Sequence, residues 1–138
     1  MFMQPLRSVL ILEDESLISI NMEDLLKELG AERVLSFTDH AQAASHAETE
    51  ELDCAILDVI IGGRRSFAVA DILEARGIPF VFSSGLSVAE IEDRHRHRPF
   101  ISKPFSGEDL RDGILRALQT QRPDANAGPL EALEQSAG

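Results

Sequence analysis

The sequence predicts one α/β domain in which helices cover both faces of a parallel β-sheet. Short apolar runs that end in polar residues alternate along the chain with segments whose apolar residues recur at helical spacing. Runs this short, rich in β-branched or aromatic residues and bounded by turn formers, are typical of strands buried on both faces. Five strands are predicted to alternate with five helices, and this alternation implies parallel strands joined by right-handed crossovers.

The first half of the chain contains three predicted strands. The strand at 9–12 is followed by a helix with a natural C-terminal stop at Gly30. A weaker strand at 34–37 is followed by an alanine-rich helix that Asp39 can cap. The third strand is an apolar run that ends at Asp58.

The second half of the chain begins with a glycine pair that separates the third strand from the next helix. Its predicted elements are, in order, a helix at 67–76 stopped by Gly77, a strand at 80–82, a short helix from Ser87 to about Arg94, a strand at 100–102 and a helix that opens at Ser106. The apolar residues of the last helix fall on one face, as expected for a helix that packs on a sheet.

The length and composition fit a single domain of this kind. The chain has 138 residues, of which 43% are hydrophobic, and this is enough for one core. We expect the folded domain to cover residues 6–121. Residues 122–138, rich in Pro, Ala, Gly, Asn and Gln, are expected to form a disordered tail.

The charge of the chain argues against some classes of partner. A formal net charge of -11 and a pI near 4.7 disfavour binding to nucleic acid or to anionic membranes through bulk electrostatics. No stretch resembles a signal peptide or reaches membrane-spanning length, so we expect a cytoplasmic protein. The single cysteine, Cys54, excludes an intrachain disulfide, and its place in a central strand favours an inert buried thiol.

Polar residues follow four of the predicted strands, and parallel strands bring their carboxyl ends to one edge of a sheet. These residues are Glu13 and Asp14 after the first strand, Asp58 after the third, Ser84 after the fourth and Lys103 after the fifth. A carboxylate at the end of a buried strand can be a nucleophile or a metal ligand. Each residue alone has an ordinary structural interpretation, but their combination predicts a functional site at this edge.

Four motifs resemble those of a response-regulator receiver domain, in the same order and at similar spacing. They read Val-Leu-Ile-Leu-Glu-Asp at 9–14, Ile-Leu-Asp at 56–58, Phe-Ser-Ser-Gly at 82–85 and Ser-Lys-Pro-Phe at 102–105. The resemblance covers roughly residues 8–119. It implies a CheY-like, flavodoxin-like fold with a doubly wound, five-stranded parallel sheet and the strand order 2-1-3-4-5.

The stretch 76–85 is also similar to the FAT GUY subgroup of stand-alone receivers, which typically reads Phe-Ala-Thr-Gly and then an aromatic residue. The chain departs from this pattern twice, with Ser84 in place of the threonine and Leu86 in place of the aromatic residue. Serine keeps the hydroxyl but lacks the methyl group that restricts its rotamer. Leu86 removes an aromatic surface from the region that contacts partners in the subgroup.

The resemblance implies that Asp58 accepts a phosphoryl group. A carboxylate that attacks a phosphodonor needs positive charge beside it, because the attacking and transferred groups are both negative. Mg²⁺ is the implied cofactor, with oxygen ligands and retained water. Its implied ligands are Asp14 and Asp58 directly, Glu13 through water, and the backbone carbonyl of Ile60.

The resemblance also assigns roles in catalysis and switching. Lys103 and the hydroxyl of Ser84 are implied to contact phosphoryl oxygens. Ser84 would then be drawn toward the phosphoryl group together with the loop 84–88. Phe100 falls at the position of an aromatic ring that turns inward, and the bond between Lys103 and Pro104 is implied to be a cis peptide.

The function implied by the resemblance is that of a stand-alone receiver in a two-component phosphorelay. The donor would be a histidine kinase or a histidine phosphotransfer protein. The output would be contact with a downstream protein effector or onward transfer of the group. Such a domain catalyses only its own phosphorylation and dephosphorylation, so we do not expect an enzyme. We expect no nucleic acid or membrane partner, and a monomer or weak homodimer.

Other functional classes use similar parts. A constitutive protein-interaction module that no longer uses phosphate is one alternative, and the intact Asp58 and Lys103 argue against it. An Asp-nucleophile hydrolase of the haloacid dehalogenase type needs a second Asp two residues after the first, where Ile60 stands. Flavodoxin-like cofactor binding would need a hydroxyl-rich loop after the first strand, and the acidic residues 13–15 would repel a phosphate there.

The run Arg-His-Arg-His-Arg at 94–98 is conspicuous in an acidic chain. One interpretation is a solvated helix end. The other is a basic patch that docks an acidic kinase or effector beside the switching surface. Metal binding by His95 and His97 is not expected, because residues two apart on a helix do not face each other.

Overall fold

The computed structural model of the protein describes residues 6–85 and 91–126. Its main sheet has five parallel strands in the order β2-β1-β3-β4-β5, so the predicted fold class and strand order are confirmed. The strands are β1 (Ser8–Leu12), β2 (Arg33–Phe37), β3 (Cys54–Asp58), β4 (Phe80–Ser84) and β5 (Phe100–Ser102).

The described residues form four α-helices around this sheet. They are α1 (Ser16–Glu28), α2 (His40–Thr49), α3 (Phe67–Arg76) and α4 (Gly107–Asn126). Asp39 caps α2 as predicted, because its carboxylate accepts a hydrogen bond of 3.1 Å from the backbone N–H of Gln42. The helix α4 extends beyond the predicted domain boundary at residue 121, and 127–138, most of the predicted tail, lies outside the described residues.

The sheet separates two apolar cores, because successive side chains along a strand point to opposite faces. One core packs the sheet against α2 and α3, and it includes Leu12, Leu57 and Phe82. The other packs it against α1 and α4, and it includes Ile11 and Ile56 together with the buried thiol of Cys54. Burial raises the pKa of the Cys54 thiol to about 12. The three central strands β1, β3 and β4 are therefore buried on both faces, as their uninterrupted apolar runs predict. The edge strands β2 and β5 are partly exposed, so the prediction of burial on both faces is wrong for β5.

A small hairpin between β3 and α3 was not predicted. Its two antiparallel strands are Ile60–Ile61 and Arg64–Arg65. Gly62 and Gly63 form the turn with φ of 58° and 78°. A two-residue turn with positive φ at both positions matches the twist of a hairpin, and glycine adopts it without steric cost. From the sequence we predict only a break in the chain at the glycine pair, although such a pair is also a hairpin signal.

The structure contradicts the predicted fourth helix in its described part, residues 91–94. The backbone at Glu92 is extended, with ψ of 148°, and only Asp93–His95 form a turn of 3-10 helix. Residues 86–90, where this helix was predicted to begin, lie outside the described residues. Three side chains of the segment 91–98, those of Arg94, His95 and Arg98, contact acids of α3.

The expected solvated or docking role of the run 94–98 is wrong for His95. This side chain is 1% exposed, and its Nε2 lies 2.8 Å from Oδ1 of Asp71 on α3. Its ring packs against Phe67 and Phe82, each at 5.8 Å between centroids. Arg94 donates to the same Asp71 carboxylate through Nε and Nη2, at 3.0 and 2.9 Å.

Arg98 of the same run is also turned inward. Its Nη2 lies 2.6 Å from Oε1 of Glu74 on α3, and its guanidinium lies 4.5 Å above the ring of Phe80. Arg98 is 5% exposed. The acids of α3 therefore neutralise much of the charge that the sequence suggested was available to a partner.

Within the described residues, no helix is both long enough and apolar enough to cross a bilayer.

We expect His95 to make folding less favourable in mild acid. Burial lowers the pKa of its imidazole, and the hydrogen bond to Asp71 only partly offsets this effect. As pH falls from about 7 to about 5, the unfolded chain protonates this histidine before the folded chain does, so folding stability is lost. Urea unfolding at several pH values should show a weaker acid loss for His95→Gln than for the wild type.

The matched control for this experiment is His97→Gln, since His97 is exposed in the same segment. It should follow the wild-type pH dependence. Other titrating groups, including Glu13, contribute equally to the pH dependence of stability in the wild type and in both variants, so their contributions cancel in the comparison. Parallel curves for His95→Gln and the wild type would contradict the assignment.

Candidate functional site

The structure brings four charged side chains together at the carboxyl edge of the sheet. Glu13 and Asp14 follow β1, Asp58 ends β3, and Lys103 follows β5. One carboxylate oxygen from each of the three acids lies within 4.8 Å of the other two. The convergence expected from the topology is therefore present, and the chemical roles of the residues remain predictions.

Lys103 is the positive centre of this cluster. Its Nζ lies 2.7 Å from Oε1 of Glu13 and 2.9 Å from Oδ2 of Asp58. Burial alone would lower the pKa of the Lys103 ammonium, but the hydrogen bonds to the two acids outweigh it and the pKa is raised. The bond between Lys103 and Pro104 is a cis peptide, as predicted, and the Lys103 N–H donates to the carbonyl of Ser84 at 2.9 Å.

Glu13 is the buried acid of the cluster, at 1% exposure. Burial raises the pKa of its carboxyl, and the hydrogen bond from Lys103 opposes this shift. The other carboxylate oxygen accepts a 3.0 Å hydrogen bond from the backbone N–H of Glu15. These contacts fix the side chain of Glu13, which is the most buried of the three acids.

Asp58 is held from both its side chain and its backbone. Its Oδ1 accepts a hydrogen bond of 3.2 Å from the backbone N–H of Ile60, and its carbonyl accepts one of 2.6 Å from the hydroxyl of Ser66. The Ser66 N–H also donates to the carbonyl of Val59, at 2.9 Å. Sequence reasoning gave Ser66 no role. A serine before a helix suggests an N-cap, but this hydroxyl makes no cap hydrogen bond and reaches back to β3 instead.

The glycine hairpin forms one wall of the site. The N–H of Gly62 donates to Oδ2 of Asp14 at 3.3 Å, so the hairpin turn lies against the acidic cluster. The hairpin is also tied to α2, because Nε2 of His40 lies 2.9 Å from the carbonyl of Ile61. Asp14 itself is exposed. The cluster therefore opens to solvent on the Asp14 side and is closed on the Glu13 side.

Ser84 and Phe100 lie beside the cluster rather than in it. Ser84 ends β4 and is 3% exposed. Strand alternation places its side chain on the face of α2 and α3, with Phe82, whereas Asp58 shares the opposite face with Ile56. Phe100 is half-buried and packs against the core of the Ser84 face. The loop after Ser84, including Leu86, falls at 86–90, outside the described residues.

A comparison with models of protein families identifies the family of this chain. A family model described as "Response regulator receiver domain" matches residues 9–115, which include every site residue described above. The chain belongs to this family. The predicted resemblance to receiver domains is therefore confirmed at the level of the family.

Two named proteins are similar to most of this chain. The transcriptional regulatory protein PdtaR of Mycobacterium tuberculosis is 33% identical over 120 residues, which cover 84% of this chain and 58% of PdtaR. The solution structure of SdrG from Sphingomonas melonis Fr1 is 38% identical with a TM-score of 0.73, covering 84% of this chain and 99% of that one. A solution structure titled as the BeF3-activated conformation of SdrG, from Pseudomonas melonis Fr1, is 39% identical with a TM-score of 0.70 and covers 84% and 99%.

Removal of the Ser66 hydroxyl should destabilise this receiver. Ser66→Ala leaves the buried carbonyl of Asp58 without its 2.6 Å donor. We expect a loss of about 1 to 3 kcal/mol in the free energy of unfolding, the usual cost of losing a buried partner. Urea unfolding followed by circular dichroism measures it. Ser102→Ala, at an exposed position on β5, should have little effect. Equal midpoints for the two variants would show that the Ser66 hydrogen bond adds no stability.

Proposed function

We propose that the chain is a receiver that accepts a phosphoryl group on Asp58 from a histidine kinase or a histidine phosphotransfer protein. The observation that carries this proposal is the position of Asp58, between the half-buried ammonium of Lys103 and the exposed carboxylate of Asp14. Lys103 contacts Oδ2 of Asp58 at 2.9 Å, and the acidic cluster opens to solvent at Asp14. A phosphodonor can reach Asp58 from the open side, while Lys103 supplies positive charge from within.

The acidic cluster fits a divalent cation such as Mg²⁺. The three carboxylates offer the oxygen ligands that Mg²⁺ prefers, and the exposure of Asp14 leaves room for retained water. Lys103 contacts one oxygen of Asp58 and one of Glu13, and carboxylate oxygens have further lone pairs for a cation. Asp14, Asp58 and the Ile60 carbonyl would hold the ion, with Glu13 acting through water. When bound, the ion would supply positive charge beside the acceptor and the phosphodonor.

The proposed transfer is an in-line displacement at phosphorus. A carboxylate oxygen of Asp58 forms a bond to the phosphorus of a phosphohistidine, and the P–N bond breaks with its electron pair going to the imidazole nitrogen. Lys103 pairs with a phosphoryl oxygen and stays protonated, consistent with its raised pKa. Ser84 donates a hydrogen bond to another phosphoryl oxygen. The product is an acyl phosphate on Asp58 and a free histidine on the donor.

The proposed output is a change at the face that carries Ser84 and Phe100. Ser84 must move toward the phosphoryl group to donate to it, because its side chain lies on the other face of the sheet from Asp58. Phe100 packs on the Ser84 face and would repack as Ser84 leaves. The altered surface would contact a protein effector, or Asp58 would pass the group to another histidine. The FAT GUY likeness and the stand-alone role stay predictions.

Phosphorylation should require Asp58. Incubation with phosphoramidate or acetyl phosphate and Mg²⁺ should add roughly 80 Da, one phosphoryl group, to the intact protein by mass spectrometry. Asp58→Asn should show none. Asp93→Asn is the control, because Asp93 is exposed and outside the site, and it should gain the same mass as the wild type. No adduct on the wild type with either small donor or with a histidine phosphotransfer protein would contradict the proposed function.

Mg²⁺ affinity should depend on Asp14. Asp14→Asn removes an exposed carboxylate from the cluster, so we expect the dissociation constant to rise by about tenfold or more. Isothermal titration calorimetry of the full chain measures it. Asp24→Asn changes the net charge by the same amount on α1 and should leave the affinity unchanged. An equal loss in both variants would indicate a general charge effect and not a site.

A further inference from the structure

We propose that Ser83 is a further residue of the acceptor site, whose hydroxyl donates a hydrogen bond to the carboxyl group of Asp58 once Asp58 is phosphorylated. This inference rests on the proposed function. Ser83 directly precedes Ser84, and Ser83 has no role in the site predicted from the sequence.

The register of the sheet places Ser83 beside Asp58. The two residues are direct neighbours on β3 and β4, and Ser83 is in turn the neighbour of Ile101 on β5. Alternation assigns the faces. Val81, two residues before Ser83, belongs to the core under α1 and α4, as does Ile56, two residues before Asp58. The side chains of Ser83 and Asp58 therefore stand side by side on one face.

The ion pair of the site passes over Ser83. Lys103 follows β5, Asp58 ends β3, and β4 lies between these two strands. To reach Oδ2 of Asp58 at 2.9 Å, the Lys103 side chain must cross β4 on the face where Ser83 stands. This arrangement explains why a polar side chain at a strand end has no solvent exposure.

The Ser83 hydroxyl has no hydrogen-bond partner among the described residues. A buried polar group in this state costs about 1 to 3 kcal/mol. Ser66 is equally buried, and its hydroxyl is fully used at 2.6 Å. An alanine at 83 would fill nearly the same volume without the cost. The unsatisfied hydroxyl of Ser83 is therefore explained if an acceptor becomes available to it when the site is phosphorylated.

Phosphorylation creates such an acceptor. In the unphosphorylated protein, the Lys103 ammonium contacts Oδ2 of Asp58 at 2.9 Å from the side of β4, where Ser83 stands. When the ammonium moves to a phosphoryl oxygen, it gives up this contact, and the carboxyl oxygen that it leaves faces the neighbouring strand. The Ser83 hydroxyl can then donate to that oxygen without any covalent change. Ser83 and Ser84 would hold the phosphorylated group from the two faces of the sheet.

The test compares the unliganded and phosphoryl-like states of the full chain. Beryllium trifluoride with Mg²⁺ serves as the phosphoryl analogue, and thermal unfolding reports its binding. Ser83→Ala should melt at the wild-type temperature or above it without ligand, because an unsatisfied hydroxyl has been removed. Its half-saturating beryllium fluoride concentration should be about three- to tenfold higher than that of the wild type, the worth of one lost hydrogen bond.

Two further variants separate the hydroxyl from volume and from general effects. Ser83→Cys keeps a side chain of similar shape with only a weak donor, so it should also weaken beryllium fluoride binding. Ser102→Ala changes an exposed serine on β5 and should bind like the wild type. The phosphoryl group on Asp58, followed by mass spectrometry after donor removal, should decay faster in Ser83→Ala than in Ser102→Ala.

The outcomes distinguish this inference from the proposed function. Wild-type binding and lifetime in Ser83→Ala, with normal phosphorylation of Asp58, would overturn the role of Ser83 and leave the receiver function intact. No thermal shift and no phosphorylation in the wild type would overturn both. A lower melting temperature of unliganded Ser83→Ala would show that the hydroxyl already has a stabilising role without phosphate, and would also contradict the inference.

Discussion

The site depends on one electrostatic interaction, in which the ammonium of Lys103 holds the buried carboxylates of Glu13 and Asp58 together. Glu13, Asp14 and Asp58 place oxygens within 4.8 Å of one another, and the repulsion between like charges is strongest for the two buried acids, Glu13 and Asp58. Lys103 offsets this repulsion by contacting two of the three. Its Nζ reaches from the end of β5 across β4, so the interaction also ties together the carboxyl ends of strands that are distant in sequence.

Hydrogen bonds from the backbone also hold the acids of the site in place. N–H groups that follow β1 and β3 donate to the acids, and the Ser66 hydroxyl fixes the carbonyl of Asp58. The acidic side of the site is thus built from hydrogen bonds within and between the two loops that follow β1 and β3. Ser84 and Phe100 lie on the other side of the sheet, toward the core under α2 and α3. Under the proposed function, phosphorylation of Asp58 would therefore have to act through the sheet on the opposite core.

The strands and the main site residues could be predicted because they follow from local patterns. Apolar runs fixed the strands, and parallel topology brought Asp58 and Lys103 to one edge. The segment 91–98 could not be predicted in this way, because the burial of His95 and Arg98 depends on acids of α3 more than twenty residues away. Ser66 was missed for a related reason. Its sequence context indicates a helix cap, and only the path of the chain shows that its hydroxyl faces β3.

The buried thiol of Cys54 has a practical consequence for spectroscopy. With a pKa of about 12 and no exposure, it stays protonated and shielded at neutral pH, so alkylating dyes should not attach to the native protein. A single cysteine introduced at the surface would then carry a probe without removal of the native one. The chain also has no tryptophan or tyrosine. One tryptophan placed near Phe100 would report the motion of that face against an almost silent fluorescent background.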